Sequence, residues 1–92
     1  MKRIYIIGSM SQIEGIRALA KELKNKKNEV RVPNPVNISL QDCVNECFKN
    51  IQWCDELIVV RKLDATIGES VIHEICFAKF LHKQISFINM SR

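Results

Sequence analysis

Residues 64–74, Asp-Ala-Thr-Ile-Gly-Glu-Ser-Val-Ile-His-Glu, hold the residue types and spacing most suited to chemistry. Ser70 stands at the start of a predicted helix, where free backbone N–H groups and the positive end of the helix dipole favour an anion such as phosphate. Gly68 gives the preceding turn room, and Glu74 lies one turn after Ser70 on the same helix face. A carboxylate so placed can face a sugar whose phosphate is held at the helix start. The alternative is that Glu74 is an ordinary solvated helix residue.

Several common nucleotide-binding and hydrolytic motifs are absent from the sequence. Neither G-x-G-x-x-G nor G-x-x-x-x-G-K-[ST] occurs, which argues against a Rossmann dinucleotide site and against a P-loop NTPase. The pair His73-Glu74 begins like the zinc motif H-E-x-x-H, but residue 77 is Phe. Ser9 and Ser70 have no evident histidine base at the spacing of a catalytic triad.

Strand-like and helix-like segments alternate along the whole chain. Short apolar runs, typical of strands buried on both faces, are separated by longer segments whose apolar residues recur at helical spacing. The predicted strands lie near residues 3–7, 29–32, 56–60 and 85–88, and the predicted helices near 12–27, 40–53 and 70–82. This alternation predicts an α/β fold, a flavodoxin-like three-layer sandwich with a four-stranded parallel sheet in the order 2-1-3-4.

The carboxyl edge of that sheet is the expected place for a ligand. Ligands of open parallel sheets bind beyond the carboxyl ends of the strands, at the point where the strand order reverses. Here that point lies between the first and third strands, so the loops 8–12 and 61–70 are predicted to meet there. The second loop leads directly into Ser70 and Glu74.

Length and composition indicate one globular domain over residues 1–92. Hydrophobic residues make up 47% of the chain and charged residues 26%, which are ordinary values for a globular protein. No apolar run approaches the ~20 residues of a membrane span. The apolar stretch behind the basic residues 2–3 is too short for a signal peptide. We therefore expect a cytoplasmic protein with no membrane partner.

The four cysteines follow no C-x-x-C spacing, and a disulfide framework is not expected without a leader. Cys43 and Cys47 lie four residues apart and could form half of a zinc site, but zinc needs two further ligands. His73 and His82 are not spaced with them in a known pattern. We favour core cysteines on a helix face and expect neither metal nor cofactor.

The formal net charge is +4, and much of the excess lies in one stretch. Its members are Lys21, Lys24, Lys26, Lys27 and Arg31. Such a stretch could contact nucleic acid, but no aromatic residue is interleaved with it and no zinc-finger or helix-turn-helix pattern accompanies it. We interpret it as a solvated helix end whose cations complement the helix dipole, and expect no nucleic-acid partner.

Four segments, in this order, match the motifs of a known family. Residues 4–10 read I-Y-I-I-G-S-M, residues 54–60 C-D-E-L-I-V-V, residues 67–78 I-G-E-S-V-I-H-E-I-C-F-A, and residues 83–85 K-Q-I. They resemble the motifs I-Y-[apolar]-x-G-[S/P]-[M/I], [A/C]-D-x-[apolar]-I-V-V, I-G-x-S-T-x-x-E-I-x-Y-A and G-K-P-[V/I] of the nucleoside 2-deoxyribosyltransferase superfamily. That superfamily includes the deoxynucleoside 5′-monophosphate N-glycosidases. In the last segment His82 replaces the family's Gly.

The resemblance implies a function and a set of roles. Glu74 would be the nucleophile that attacks C1′ of the ribosyl unit of a nucleoside or nucleoside 5′-monophosphate, and the Tyr5 hydroxyl would orient it. The implied substrate-binding positions are Gly8, Ser9, Met10, Asp64, Gly68 and Ser70. The resemblance also implies a homo-oligomer, often a homodimer, because members of the family complete one another's sites.

The sequence departs from the family's pattern in the positions of its acidic residues. The family places an Asp on the helix before the third strand; here that place falls near Cys47, flanked by Glu46, with Asp42 one turn earlier. The family often has a further acid six residues before the nucleophile, where this chain has Gly68, and the candidate substitutes are Asp64 and Glu69. We also expect the site to be more open than in larger members of the family, where a C-terminal extension and a fifth strand enclose it.

Three hypotheses remain open at this point. The first is an enzyme that cleaves or transfers an N-glycosidic bond. The second is a non-catalytic nucleotide-binding module that keeps the pocket but has lost the acids. The third is an interaction domain that uses the basic helix. The sequence does not identify the base of the substrate. It also does not distinguish ribose from deoxyribose, or transfer from hydrolysis.

Overall fold

Helices and strands alternate through the computed structural model, which describes residues 2–8, 13–33, 40–62 and 69–90. The elements in chain order are β1 (Arg3–Gly8), α1 (Ile13–Asn25), β2 (Glu29–Arg31), α2 (Leu40–Trp53), β3 (Glu56–Lys62), α3 (Glu69–Phe80) and β4 (Gln84–Met90). No helix in these ranges combines the length and the apolar character that crossing a bilayer requires.

The strands form one parallel sheet in the order β2-β1-β3-β4. In the register, Tyr5 of β1 lies between Arg31 of β2 and Leu57 of β3, and Leu57 in turn pairs with Ile85 of β4. All three pairings are parallel, so the predicted fold class and strand order are confirmed. The bounds of α2 match the prediction, and the other bounds differ by at most two residues. The strands β1, β3 and β4 are longer than predicted, α1 and β2 are shorter, and α3 begins one residue earlier and ends two residues earlier. Differences of this size are normal at the ends of helices and strands, which fray.

Alternate residues of the central strands contribute side chains to two separate hydrophobic cores. On one face, Tyr5 and Leu57 pack with Ile51 of α2 and Ile75 of α3. On the other face, residues such as Ile6 and Val60 pack with the apolar stripe of α1. This is the three-layer arrangement, with α2 and α3 on one side and α1 on the other. Period-2 alternation within each strand supplies both cores, which explains why the strands read as continuous apolar runs.

Among the described residues, two helices are followed, two positions after their last residue, by a residue in the left-handed region. Lys27 after α1 has φ 67° and His82 after α3 has φ 58°. At the end of α3, the backbone N–H of His82 donates to the Lys79 carbonyl and that of Lys83 to the Ala78 carbonyl, both at 3.0 Å. This conformation satisfies the free carbonyls of a helix end and is normally given to glycine. The position where the family has Gly is therefore a backbone requirement of the fold.

The amino edge of the sheet is closed by charged residues. Asp55 precedes β3 and accepts a hydrogen bond from the backbone N–H of Arg3 at 3.0 Å, while its own N–H donates to the Arg3 carbonyl at 2.7 Å. That backbone bond, with the nearby Arg3 guanidinium, holds the pKa of Asp55 below its ordinary value. Asp55 belongs to one of the family-like motifs, and its contacts give it a structural role at the edge opposite the expected ligand.

Candidate functional site

Tyr5, Cys47 and Glu74 converge on the sheet face that α2 and α3 cover. Tyr5 projects from β1 and is 0% exposed. Its hydroxyl donates a hydrogen bond to Sγ of Cys47, midway along α2, over 3.4 Å. Cys47 is in turn hydrogen-bonded to the carboxylate of Glu74, in the second turn of α3. Three elements that are far apart in sequence thus form one polar cluster, and the thiol connects the tyrosine to the carboxylate.

Burial and the thiol act on Glu74 in opposite directions. The carboxylate is partly buried between α3, α2 and the sheet, and this desolvation raises the pKa of Glu74 above its ordinary value. The hydrogen bond with Cys47 lowers the pKa, but by less. A half-buried carboxylate with a raised pKa is less strongly solvated than one on the surface. It is therefore a better nucleophile once it is ionised.

The Tyr5 hydroxyl stays protonated throughout the ordinary pH range. Burial is the largest cause that raises the pKa of Tyr5, followed by its bond to Cys47 and by the negative charge of Glu74. A hydrogen bond from the side chain of Asn50 acts in the other direction. Tyr5 is consequently a fixed hydrogen-bond donor in this cluster and not a group that exchanges protons.

The cluster continues through Asn50 to the edge of the sheet. Asn50 is 8% exposed and lies one turn after Cys47 on α2. Its Oδ1 accepts a hydrogen bond from the Arg31 guanidinium at 3.0 Å, which leaves its amide N–H groups to donate towards Tyr5. A chain of hydrogen bonds therefore runs from Arg31 through Asn50, Tyr5 and Cys47 to Glu74, and it fixes the orientation of each member.

Gly8, at the carboxyl end of β1, is explained by close packing. A Cβ atom there would lie 2.6 Å from the carbonyl oxygen of Val60 and 3.1 Å from Cδ1 of Ile16. Only glycine lets β1 approach β3 and α1 this closely. This packing requirement is enough to account for the residue, and the predicted contact of Gly8 with a sugar stays a prediction.

The other predicted positions are only partly within the described residues. Ser9, Met10, Asp64 and Gly68 lie outside them. Ser70 lies in the first turn of α3, as predicted, but its side chain is outside the description. The structure therefore brings Tyr5 and Glu74 together through Cys47 and leaves the two loops of the expected ligand site untested.

Sequence reasoning missed Asn50 and undervalued Cys47. The preference for a core cysteine was wrong for Cys47, because it is only partly buried and bonds to two polar side chains. The available signal was the spacing of three residues between Cys47 and Asn50, which places both on the same side of a helix. Asp42 and Glu46, the acids nearest the helix position where the resemblance implies an Asp, are exposed.

The remaining cysteines divide between core and surface. Cys54 is buried, and its thiol donates to the Ile51 carbonyl at 3.2 Å, whereas Cys76 is exposed. The side chain of Cys43 is outside the description, so the proposed half of a zinc site is not tested. Within the described residues, no three or more Cys, His, Asp or Glu side chains are grouped so as to hold a metal ion.

Solved structures provide the comparison with known proteins. No family model and no curated protein matches the chain. A 2-deoxyribosyltransferase from Leishmania mexicana superposes with a TM-score of 0.80 over 97% of this chain, at 18% identity. A CMP N-glycosidase from Clostridium botulinum superposes with a TM-score of 0.74 over 99% of this chain, at 22% identity. The chain therefore shares the fold of these two proteins.

The resemblance drawn from the four sequence segments is thus confirmed at the level of the fold. The chain spans 65% of the length of the Leishmania protein and 71% of the Clostridium protein. Both neighbours are therefore longer than this chain.

Proposed function

We propose that the protein cleaves or transfers the N-glycosidic bond of a nucleoside or nucleoside 5′-monophosphate, with Glu74 as the nucleophile. The observation that carries the proposal is the partly buried Glu74 carboxylate, which is hydrogen-bonded to Cys47. The thiol of Cys47 also accepts a hydrogen bond from the Tyr5 hydroxyl. The fold is shared with a deoxyribosyltransferase and with a CMP N-glycosidase, which supports this kind of reaction.

The proposed reaction proceeds in two steps. A Glu74 carboxylate oxygen attacks C1′, the C1′–N bond breaks, and the base leaves with the bonding electron pair and takes up a proton from solvent. Water then attacks C1′ of the glycosyl ester, gives up a proton, and releases the sugar and the free carboxylate. A second base in place of water gives transfer. The transition state is oxocarbenium-like, as in retaining glycosidases.

The buried network prepares Glu74 for this attack. The carboxylate must be ionised and correctly oriented before the sugar arrives, and the Cys47 bond favours the ionised form. Tyr5 holds the thiol, and Asn50 holds Tyr5. The helix start at Glu69–Ser70 offers free N–H groups for a 5′-hydroxyl or 5′-phosphate, one turn from the nucleophile.

A second candidate function is a nucleotide-binding module without catalysis. The observation in its favour is Cys47 itself, since a thiol occupies the place where the resemblance implies an Asp near the sugar or base. In this hypothesis the pocket still takes the ligand, but no acid acts beside the nucleophile.

Base release separates the two functions. The full chain is incubated with ribo- and deoxyribonucleosides and their 5′-monophosphates, and free base is measured by chromatography. The proposal expects release from at least one substrate and its loss in Glu74→Gln, an isosteric but poor nucleophile. Glu14→Gln, an exposed change on α1, serves as the matched control and retains release.

Two outcomes decide against this proposal. Turnover by Glu74→Gln at the wild-type rate would exclude the carboxylate mechanism. A ligand-induced rise in melting temperature without base release would instead establish the binding module.

A further inference from the structure

The open edge of β2 carries a groove that the proposed function does not use. β2 lies at one edge of the described sheet, and β4 lies at the other. Beside it, a depression of about 350 Å³ is lined by residues that include Lys24, Arg31 and Trp53. A second depression of about 330 Å³ is lined by residues that include Arg17, Lys21 and again Lys24. Because Lys24 lines both, we treat them as one surface, the β2-edge groove.

The cations of the β2-edge groove are arranged in a row. Arg17, Lys21 and Lys24 are spaced at i, i+4 and i+7, so they share one face of α1 and span about 10 Å along its axis. All three are exposed, and none forms an ion pair with another described residue. Glu29 is the one acid among the residues that line the two depressions. The surface therefore attracts an extended anion.

A flat platform lies at one end of this row. The Arg31 guanidinium lies over the ring of Trp53, with its Cζ 4.1 Å from the ring centroid, and its N–H donates a hydrogen bond of 3.0 Å to Asn50. Arg3 lies 6.0 Å from the same ring. Trp53 is 22 residues from Arg31 in sequence, so the aromatic partner that the basic stretch lacks is supplied by the fold. A guanidinium fixed in this way offers its outer plane to a nucleobase.

We infer that the β2-edge groove binds single-stranded nucleic acid, with the α1 cations on the phosphates and a base stacked on the Arg31–Trp53 pair. Single strands are commonly bound by a basic groove combined with a stacking platform, and the groove has both parts. The carboxylates of an acidic peptide would pair with the cations, but such a peptide has no nucleobase to stack on the platform. The observations therefore favour the nucleic acid.

Binding to a labelled single strand of about 12 nucleotides tests the inference by fluorescence anisotropy. The variant Lys21→Glu/Lys24→Glu reverses two cations of the row and is expected to weaken binding about tenfold or more. The slope of log K against log salt is expected to fall by about 1.4, at about 0.7 for each lost phosphate contact. The control Lys49→Glu/Lys79→Glu changes exposed residues of α2 and α3. Both double variants lower the formal net charge from +4 to 0, since each substitution changes it by −2.

The platform is tested with Arg31→Lys and with an abasic strand of the same length. Arg31→Lys keeps the positive charge but loses the planar guanidinium. It is therefore expected to weaken binding of the normal strand and to leave the affinity for the abasic strand unchanged. Thermal melting checks that the variant is folded.

Three results would overturn the inference. They are an equal loss of binding in the control variant, equal affinity for the normal and abasic strands, and displacement of the strand by a poly-glutamate peptide at the same charge concentration.

Discussion

The hydroxyl of Tyr5 donates to the thiol of Cys47 over 3.4 Å, inside the layer between the sheet and α2. The thiol is therefore held in place from β1, and through it so is the Glu74 carboxylate on α3. This relationship changes the role that the resemblance implies for Tyr5. The tyrosine acts on the carboxylate through a cysteine, and the side chain at position 47 partly offsets the effect of burial on the pKa of Glu74.

Glu74→Gln is expected to stabilise the protein at neutral pH. Burial raises the pKa of Glu74 in the folded state, so folding favours the protonated form, and this stability is lost as the pH rises through the folded pKa. The glutamine carries no charge to bury. Its melting temperature should exceed that of the wild type at pH 7, and the difference should shrink towards pH 4. If the melting temperature of Glu74→Gln at pH 7 equals that of the wild type, the result would contradict the burial of the Glu74 charge.

Cys47→Ala is expected to shift the titration of Glu74 to higher pH. The Cys47 bond lowers the pKa of Glu74, so its removal raises that pKa further. The variant also leaves the Tyr5 hydroxyl without this acceptor, at a cost of about 1–3 kcal/mol. NMR titration of the Glu74 carboxyl carbon measures the shift directly, whether or not the protein is an enzyme.

Cys47→Ser is the matched variant for that measurement. A serine hydroxyl keeps both the donor and the acceptor, so the pKa of Glu74 should stay near or below its wild-type value. If base release is observed, the acid limb of its pH profile should move with the same sign as the titration in both variants. Identical titrations in the alanine and serine variants would show that the thiol does not act on the carboxylate.

His82→Gly is expected to stabilise the protein by about 1 kcal/mol. His82, two residues after the end of α3, has φ 58°, where a Cβ atom is unfavourable and glycine is not. The matched control is Lys79→Gly, an exposed position within α3, where glycine should cost about 1 kcal/mol. Chemical denaturation of both variants gives the comparison. A loss of stability in both would mean that His82 makes a contact worth more than its backbone strain.

Ser86→Ala is expected to destabilise the protein by about 1.5–3 kcal/mol at neutral pH. Glu56 is nearly buried, and burial alone raises its pKa. The bond from Ser86 and the Lys2 ammonium, 2.9 Å away, outweigh burial and hold the pKa below its ordinary value. This stabilisation is present above the unfolded pKa and is lost as the pH falls, so the two proteins should converge in acid.

Urea denaturation between pH 7 and pH 3 measures the effect of Ser86→Ala. Gln84→Ala is the control, because Gln84 bonds to the exposed Lys2 ammonium from the same strand. It should change stability by no more than about 0.5 kcal/mol. A pH-independent loss in Ser86→Ala would mean that the serine supports packing and not the carboxylate.

The sequence by itself determined the elements and their order. The apolar runs around Ile6 and Val59, the helical spacing on α1 and the strict alternation of strand and helix leave few ways to build a sheet, since parallel crossovers are right-handed. The same patterns placed Glu74 one turn into the third helix. These features are local, and local periodicity is what a single sequence records directly.

Only the tertiary structure decided what surrounds Glu74 and what the basic stretch lies beside. Cys47 reads as a helix-face cysteine until β1 brings Tyr5 against it, 42 residues away in sequence. Trp53 reads as the last residue of a helix until it meets Arg31 at the edge of the sheet. Contacts of this kind depend on the sheet register and on how α2 lies across β1. The physical reason is that hydrogen bonds and ring contacts act over a few ångströms in space, whatever the separation along the chain.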